Sequence, residues 1–318
     1  MPGPGTISKL MTANTANNFH LKNLKTLNYG GASAIIDLDM NKCVQDSIIN
    51  AVHNQALDNV SIQDQFVDRY SQWIIASRLN QFQNLDQFPV RAYSNGTTES
   101  FDKFYLKHHT RRFRCFRGEY MYHGASWRTY FPNWCYLNDQ DLDANDAVVI
   151  SLPFSDTGNI HEHTQRILDR CSELGIPVLI DCAFVGICAK IEFDFDQPCI
   201  TDIVFSLSKT FPVANLRVGM RLTRVDDDDS LLIHKKTNYT NRLGAAVGLD
   251  LIEQYDVDYN YATWADQQLA FCKQLNIVPS NSVIFGLGDQ QYQQYNRGNQ
   301  TNRLCLARYL KSGQLPHD

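Results

Sequence analysis

The stretch AVVISLPFSDTGNIHEHTQRILDRCSELGIPVLID, residues 147–181, decides the fold class. Ala147-Val-Val-Ile-Ser-Leu152 is an apolar run of strand length, and His161 to Leu174 carries apolar residues at helical spacing. Gly175-Ile-Pro177 stops that helix, because glycine closes helices and proline cannot continue one. Pro177-Val-Leu-Ile-Asp181 reads as the next strand, Asp202-Ile-Val-Phe-Ser206 as another, and Val90-Arg-Ala-Tyr93 as one further upstream. Strands that alternate with helices need crossover connections, which build an α/β domain: a mostly parallel sheet with helices on both faces. Ligands of such sheets gather beyond the carboxyl ends of the strands. Asp181, Ser206 and Lys209 lie at or just past such ends, as do Ser155 to Gly158.

The 318 residues exceed one ordinary domain, so a large domain and a smaller one are expected. Residues 1–40 are read as an arm and a segment over the site, 41–230 as the large domain, and 231–318 as an interface helix and a small α+β domain. In the last part a helical stretch runs from about Leu231 through Gln254 and another from Thr263 to Leu275. Strands follow at Val283-Ile-Phe-Gly-Leu287 and Arg303-Leu-Cys-Leu-Ala307, separated by the polar loop Gln290 to Asn302. No apolar run approaches the ~18 residues that span a bilayer, so no membrane role is implied. The start, MPGPGTISKLMTANTANNFH, lacks the features of a signal peptide, and a cytoplasmic location is expected. The net charge of −5, from 29 Lys and Arg against 34 Asp and Glu, leaves no footprint for nucleic acid. Lys107-His-His-Thr-Arg-Arg-Phe-Arg114 and the acidic run Asp226 to Asp229 read as solvated faces. Nine cysteines without a CxxC pair read as structural thiols, and no metal site is expected.

The segment SLSKTFPVANLRVG, Ser206–Gly219, places Lys209 between hydroxyl residues and Arg217. A lysine alone is weak evidence, since most are solvated. Asp181, at a buried strand end, needs a cation, and a protonated pyridinium nitrogen would supply one. Asn95-Gly-Thr-Thr98 follows a strand and precedes a helical run, where a helix N-terminus can hold a phosphate. Ser206, Ser208 and Arg217 add donors, and an arginine can hold phosphate through two parallel bonds. Taken singly, the Gly96 turn reads as an ordinary turn, Tyr120 as a core aromatic and Asp181 as a helix cap.

In this order, and at strand ends, the set resembles the fold-type I pyridoxal-phosphate enzymes, the aspartate aminotransferase superfamily, over roughly Tyr93 to Gly219. The resemblance implies that Lys209 forms the Schiff base with pyridoxal 5'-phosphate and moves the substrate proton, and that Asp181 partners the pyridine nitrogen. It implies that Asn95, Gly96 and Thr97 form the phosphate turn, completed by Ser206, Ser208 and Arg217. Tyr120, in Gly118-Glu-Tyr-Met-Tyr-His123, would stack on the cofactor ring, with Tyr122 the alternative. Where many members carry Asn-Pro-Thr-Gly, this chain reads Ser155-Asp-Thr-Gly158, and a common tyrosine is replaced by Phe184. Two donors to the cofactor's phenolic oxygen are thereby missing. Arg303, in Thr301-Asn-Arg-Leu-Cys-Leu-Ala307, resembles the arginine that grips the substrate carboxylate, with Arg308 competing. Tyr29-Gly30-Gly31 resembles the segment over the substrate, and Lys236 the residue a partner contributes toward an acidic distal group. The family expectation is a homodimer with composite sites that acts on an amino acid and a 2-oxo acid as an aminotransferase. The same residues also serve lyases, decarboxylases and cyclases, or a module that binds the cofactor without turnover.

Overall fold

A computed structural model describes residues 27–226 and 229–316. Most of the expected N-terminal arm, residues 1–26, and part of the acidic run, residues 227–228, lie outside the described residues. Two helices open the described chain. Helix α1 (Leu38–His53) starts at Asp37, whose carboxylate accepts from the amides of Asp39 and Met40. Helix α2 (Ile62–Ile75) buries Ile62, Phe66, Val67, Tyr70, Trp73 and Ile74, one stripe at helical spacing. A short strand β1 (Gln81–Gln83) precedes β2 (Val90–Ser94), α3 (Thr97–Lys107), β3 (Arg112–Cys115), α4 (Met121–Tyr130) and β4 (Trp134–Tyr136). Then come β5 (Asp146–Ser151), α5 (Thr164–Leu174), β6 (Val178–Cys182), β7 (Glu192–Asp194), β8 (Ile200–Ser206) and β9 (Gly219–Thr223).

Seven of these strands form one sheet, in the order β2-β9-β8-β6-β5-β3-β4. The run from β8 to β4 is parallel, while β9 is antiparallel to both of its neighbours. Successive side chains of a strand point to opposite faces, and the packing divides accordingly. Val148, Ile150, Val178 and Ile180 join one core with Phe66, Tyr70, Ile167 and Leu168 of α2 and α5. Ala147, Val149, Leu179 and Val204 join another, with Phe101, Phe104 and Trp127 of α3 and α4. Helices therefore cover both faces, which explains why every residue of β5 and β6 is buried.

The helical stretch read from Leu231 to Gln254 is two helices, α6 (Ser230–Thr237) and α7 (Arg242–Gln254). Asn238 and Asn241 interrupt it in the left-handed region, at φ 49° and 42°. Helix α7 packs into the large-domain core through Ala245, Val247, Leu251 and Ile252. Gly248 makes this approach possible, since a Cβ there would lie 2.7 Å from the Phe66 ring. A separate core belongs to the C-terminal lobe, built from α8 (Tyr259–Leu275) and an antiparallel sheet of β10 (Val278–Pro279), β11 (Phe285–Gly288) and β12 (Asn302–Cys305). That core also takes in Tyr29, Ile35, Phe184 and Ile187. No described helix is long and apolar enough to cross a membrane.

Candidate active site

The carboxyl ends of β5, β6 and β8, the N-terminus of α3, the segment Gly30–Ser33 and the C-terminal lobe enclose a cavity of about 420 Å³. Thr97, Tyr120, Ser155, Asp181, Phe184, Ser206, Ser208, Lys209, Arg217, Arg303 and Gly30 all face it. One end is a ring of donors. Ser206 Oγ donates to Ser208 Oγ at 2.8 Å, and Arg217 Nη2 donates to Thr98 Oγ1 at 3.1 Å. Arg217 is held in the left-handed region, at φ 55°, and its carbonyl accepts from Tyr93 Oη. Gly96 has φ 72°, and a Cβ on it would lie 2.2 Å from Arg217 Nη2. Only glycine leaves the guanidinium room beside the helix start. Asn95 does not line the cavity. Its backbone and side-chain amides donate to Glu99 Oε2 and its Oδ1 accepts from Asn241 Nδ2, so it shapes the turn from behind.

Asp181, 5% exposed, has its carboxyl pushed up to about 8 by burial first and by the charge of Glu119 second. The Ala183 amide, at 3.1 Å, is its hydrogen-bond donor. A carboxyl this costly to ionise stays protonated near neutral pH unless a cation faces it in the cavity. Lys209 Nζ donates to the Ala32 carbonyl at 2.7 Å. Burial holds that amine below the ordinary lysine value, and the positive charges of Arg303 and Arg217 add to the effect. Tyr120 is 41% exposed, with its ring facing the cavity and stacked at 15° on Tyr122. Tyr122 itself donates to Asp102 rather than facing the cavity.

Arg303 enters from β12. Its guanidinium lies 4.2 Å over the Phe285 ring and donates to the carbonyls of Ser155 and, at 2.8 Å, Gly31. Arg308 also lines the cavity, from an exposed position. Phe184 packs its ring against Phe285, with centroids 5.3 Å apart, and brings no polar group. One expectation needs correction at the level of side chains. Tyr29 does not line the cavity. Its ring is buried in the C-terminal lobe against Tyr295 and Tyr309, and only the glycines after it face the site. Lys236, expected in a partner's site rather than its own, is exposed on α6 and does not line the cavity of its own chain.

Sequence reasoning missed Arg297 and Glu119. Arg297 projects into the cavity from the polar loop, donating to the Ser155 carbonyl at 2.9 Å and the Glu119 carbonyl at 3.3 Å. Glu119 is buried, pushed up to about 7 by that burial, and accepts from Ser151 N at 2.8 Å and from Ser151 Oγ. Glu119 stands next to Tyr120 in a segment already singled out, and a charged residue there is a usable signal. Nothing local marks Arg297. Among the described residues no group of three His, Cys, Asp or Glu side chains could hold a metal ion.

A family model described as aminotransferase class I and II matches residues 101–269. No curated protein matches in sequence. Solved structures share the fold at low identity. The histidinol-phosphate aminotransferase from Clostridium acetobutylicum is 16% identical, with a TM-score of 0.60 over 90% of this chain and 96% of that one. A pyridoxal-phosphate-bound C-S lyase from Staphylococcus hominis is 12% identical, with a TM-score of 0.67 over 94% and 92%. The L-threonine-O-3-phosphate decarboxylase from Porphyromonas gingivalis is 13% identical, with a TM-score of 0.60 over 91% and 96%.

Proposed function

Because the chain belongs to the class I and II aminotransferase family, whose cofactor is pyridoxal phosphate, we propose that it moves an amino group between an amino acid and a 2-oxo acid. The cavity fits the cofactor on its own evidence. The Gly96 notch leaves room for Arg217 beside a helix N-terminus, where anions bind favourably. Asp181, at the far side, is a carboxyl that a ring cation would relieve. Thr97, Thr98, Ser206, Ser208 and Arg217 would hold the phosphate, Tyr120 the ring face and Asp181 the ring nitrogen. When bound, the cofactor supplies a carbonyl that condenses with amines and a ring that accepts electron density.

The protein's own contribution is placement and proton handling. With its amine held below the ordinary value, Lys209 Nζ is more often neutral, which suits both nucleophilic attack and proton carriage. Asp181 would hold a proton at the ring nitrogen when the cofactor is bound, the paired charges favouring the ionised carboxylate. Arg303 carries the choice of reaction: a buried guanidinium, its Nη1 and Nη2 each donating to a carbonyl, facing the same cavity as Lys209 and Asp181. A cation so placed favours retention of the substrate carboxylate, hence amino transfer over decarboxylation. The rival is a lyase-type reaction, favoured by the apolar Phe184 where a phenolic donor is usual. A homodimer with composite sites in the cytoplasm completes the proposal.

The test is product analysis after the cofactor-loaded protein is incubated with pooled amino acids and 2-oxo acids. New amino acids matched by new 2-oxo acids support amino transfer, and Lys209→Ala should abolish them together with the borohydride-reducible link to cofactor. Release of carbon dioxide or of side-chain fragments would replace the proposal by the lyase reading. No product from any pool would favour a binding module.

A further inference from the structure

The proposed roles leave the buried acid Glu119 without a task. It does not line the cavity, but it precedes Tyr120, which does. Its carboxylate accepts from Ser151 N at 2.8 Å and from Ser151 Oγ. Ser151 closes β5, lines the cavity and lies opposite Asp181 in the register of β5 and β6, where Leu152 N donates to the Asp181 carbonyl at 2.8 Å. Two buried acids are thus brought to neighbouring strand ends, one facing the cavity and one joined to its wall through Ser151.

Two carboxyls in one buried place resist ionising together, so over part of the pH range they share a single negative charge. Hydrogen bonds to a carboxylate favour its charged form. Glu119 has two donors on Ser151, whereas Asp181 has the Ala183 amide at 3.1 Å. The shared charge therefore settles on Glu119 and the proton on Asp181, in agreement with values pushed up by burial to about 7 and about 8. Two cations oppose the pair, Lys209 from the turn after β8 and Arg297 from the polar loop. Arg297 places its donors on the carbonyls of Ser155 and Glu119 and on Ser155 Oγ, not on the Glu119 carboxylate. Tyr105 of α3, Cys115 of β3, Cys182 of β6 and Tyr120 are pushed up by burial, and His123 of α4 is pushed down to about 3. These neighbours stay uncharged near neutral pH.

We propose that Glu119 is a positioning residue for the ring-nitrogen site: its charge keeps a proton on Asp181 in the cofactor-free protein, and uptake of the cationic ring expels that proton. The Asp181 O–H bond breaks, the proton leaves to solvent, and the carboxylate so formed faces the ring N–H, which balances atoms and charge. Cofactor uptake is thereby tied to pH through a residue that does not line the cavity. This rests on the pyridoxal-phosphate assignment and not on which reaction follows.

The first test titrates cofactor-free protein with pyridoxamine 5'-phosphate, which has no aldehyde to condense with Lys209. Its affinity should fall roughly five-fold from about pH 8 to about pH 7, as linkage to a carboxyl of about 8 requires. Glu119→Gln should reduce that fall to about two-fold, the change expected when the Asp181 midpoint drops by roughly one pH unit. Glu119→Asp keeps the charge and should restore most of the fall. The second test reads the proton directly, as the infrared band of a protonated carboxyl that shifts with isotope-labelled aspartate and is missing in Asp181→Asn. That band should be present near pH 7, vanish on binding, and titrate at lower pH in Glu119→Gln. Should Glu119→Gln fail to fold, Ser151→Ala removes a donor that favours ionised Glu119 and should move the midpoint the same way. An unmoved midpoint, a labelled band that survives binding, or Glu119→Asp behaving as Glu119→Gln does would overturn the inference. These results in a protein that transfers no amino group would overturn the transferase reading and leave this inference standing.

Discussion

At the scale of single residues, Asp181 shows how burial turns an ordinary carboxyl into a site that calls for a cation. Its folded value of about 8 lies well above the ordinary 3.8, through burial and through Glu119. In the cofactor-free protein the folded carboxyl still holds its proton at pH values where the unfolded one has lost it. Unfolding therefore releases a proton across this window, so stability falls as pH rises from about 4 to about 8 and levels off above. Urea titrations of cofactor-free protein across that range should show the decline, and Asp181→Asn should make it shallower, leaving the part that buried Glu119, raised to about 7, contributes. Parallel curves for the two proteins would remove Asp181 as the cause. This residue is legible in the chain itself, because an acid closing an apolar strand run is conspicuous. The effect of Glu119 on Asp181 is not, because it depends on bringing together segments about sixty residues apart in the chain.

At the scale of elements, the N-terminus of α3 is where the phosphate is proposed to sit. Gly96 occupies φ 72° and ψ 179°, a region open essentially to glycine alone. A methyl group there would also collide with the Arg217 guanidinium, 2.2 Å away. Gly96→Ala should destabilise the protein by about 1–3 kcal/mol and, by displacing Arg217, weaken uptake of pyridoxal phosphate roughly ten-fold. Denaturant melts beside a cofactor titration check both numbers. Normal uptake by a destabilised variant would separate the turn from the phosphate site. Elements with an internal pattern are the readable ones: β5, α5, β6 and β8 lie within a few residues of their expected bounds. The break between α6 and α7 is hidden, because asparagines in the left-handed region look like ordinary polar helix residues in a one-dimensional reading. Helix α7 reads as part of the C-terminal lobe and instead packs on α2, where Gly248 meets Phe66.

At the scale of the whole molecule, three buried clusters divide the described chain, and the site lies where they meet. The segment after Leu27 ties the first to the last: Cys305 N donates to the Tyr29 carbonyl at 2.8 Å, and the Tyr29 ring lies 5.7 Å from that of Tyr295 and 5.5 Å from that of Tyr309. That anchorage holds the Gly31 and Ala32 carbonyls against Arg303 and Lys209. Tyr29→Ala should cost about 3 kcal/mol, as for other large-to-small core changes. It should weaken binding of butyrate, a simple carboxylate that Arg303 would hold, while sparing cofactor uptake, and equal losses of both would show a general loosening instead. What the sequence determined by itself was local: strand and helix alternation, glycine and proline breaks, and the ordered series Gly96, Asp181, Lys209, Arg217, each set by chemistry within a few neighbouring residues. Tertiary structure alone decided that Arg297 stands beside Arg303, that Glu119 raises Asp181, and that the tyrosine of the Tyr29-Gly-Gly segment turns into a core while its glycines face the site. Such outcomes depend on which distant surfaces bury each other, a property of packing that no spacing of residues along the chain encodes.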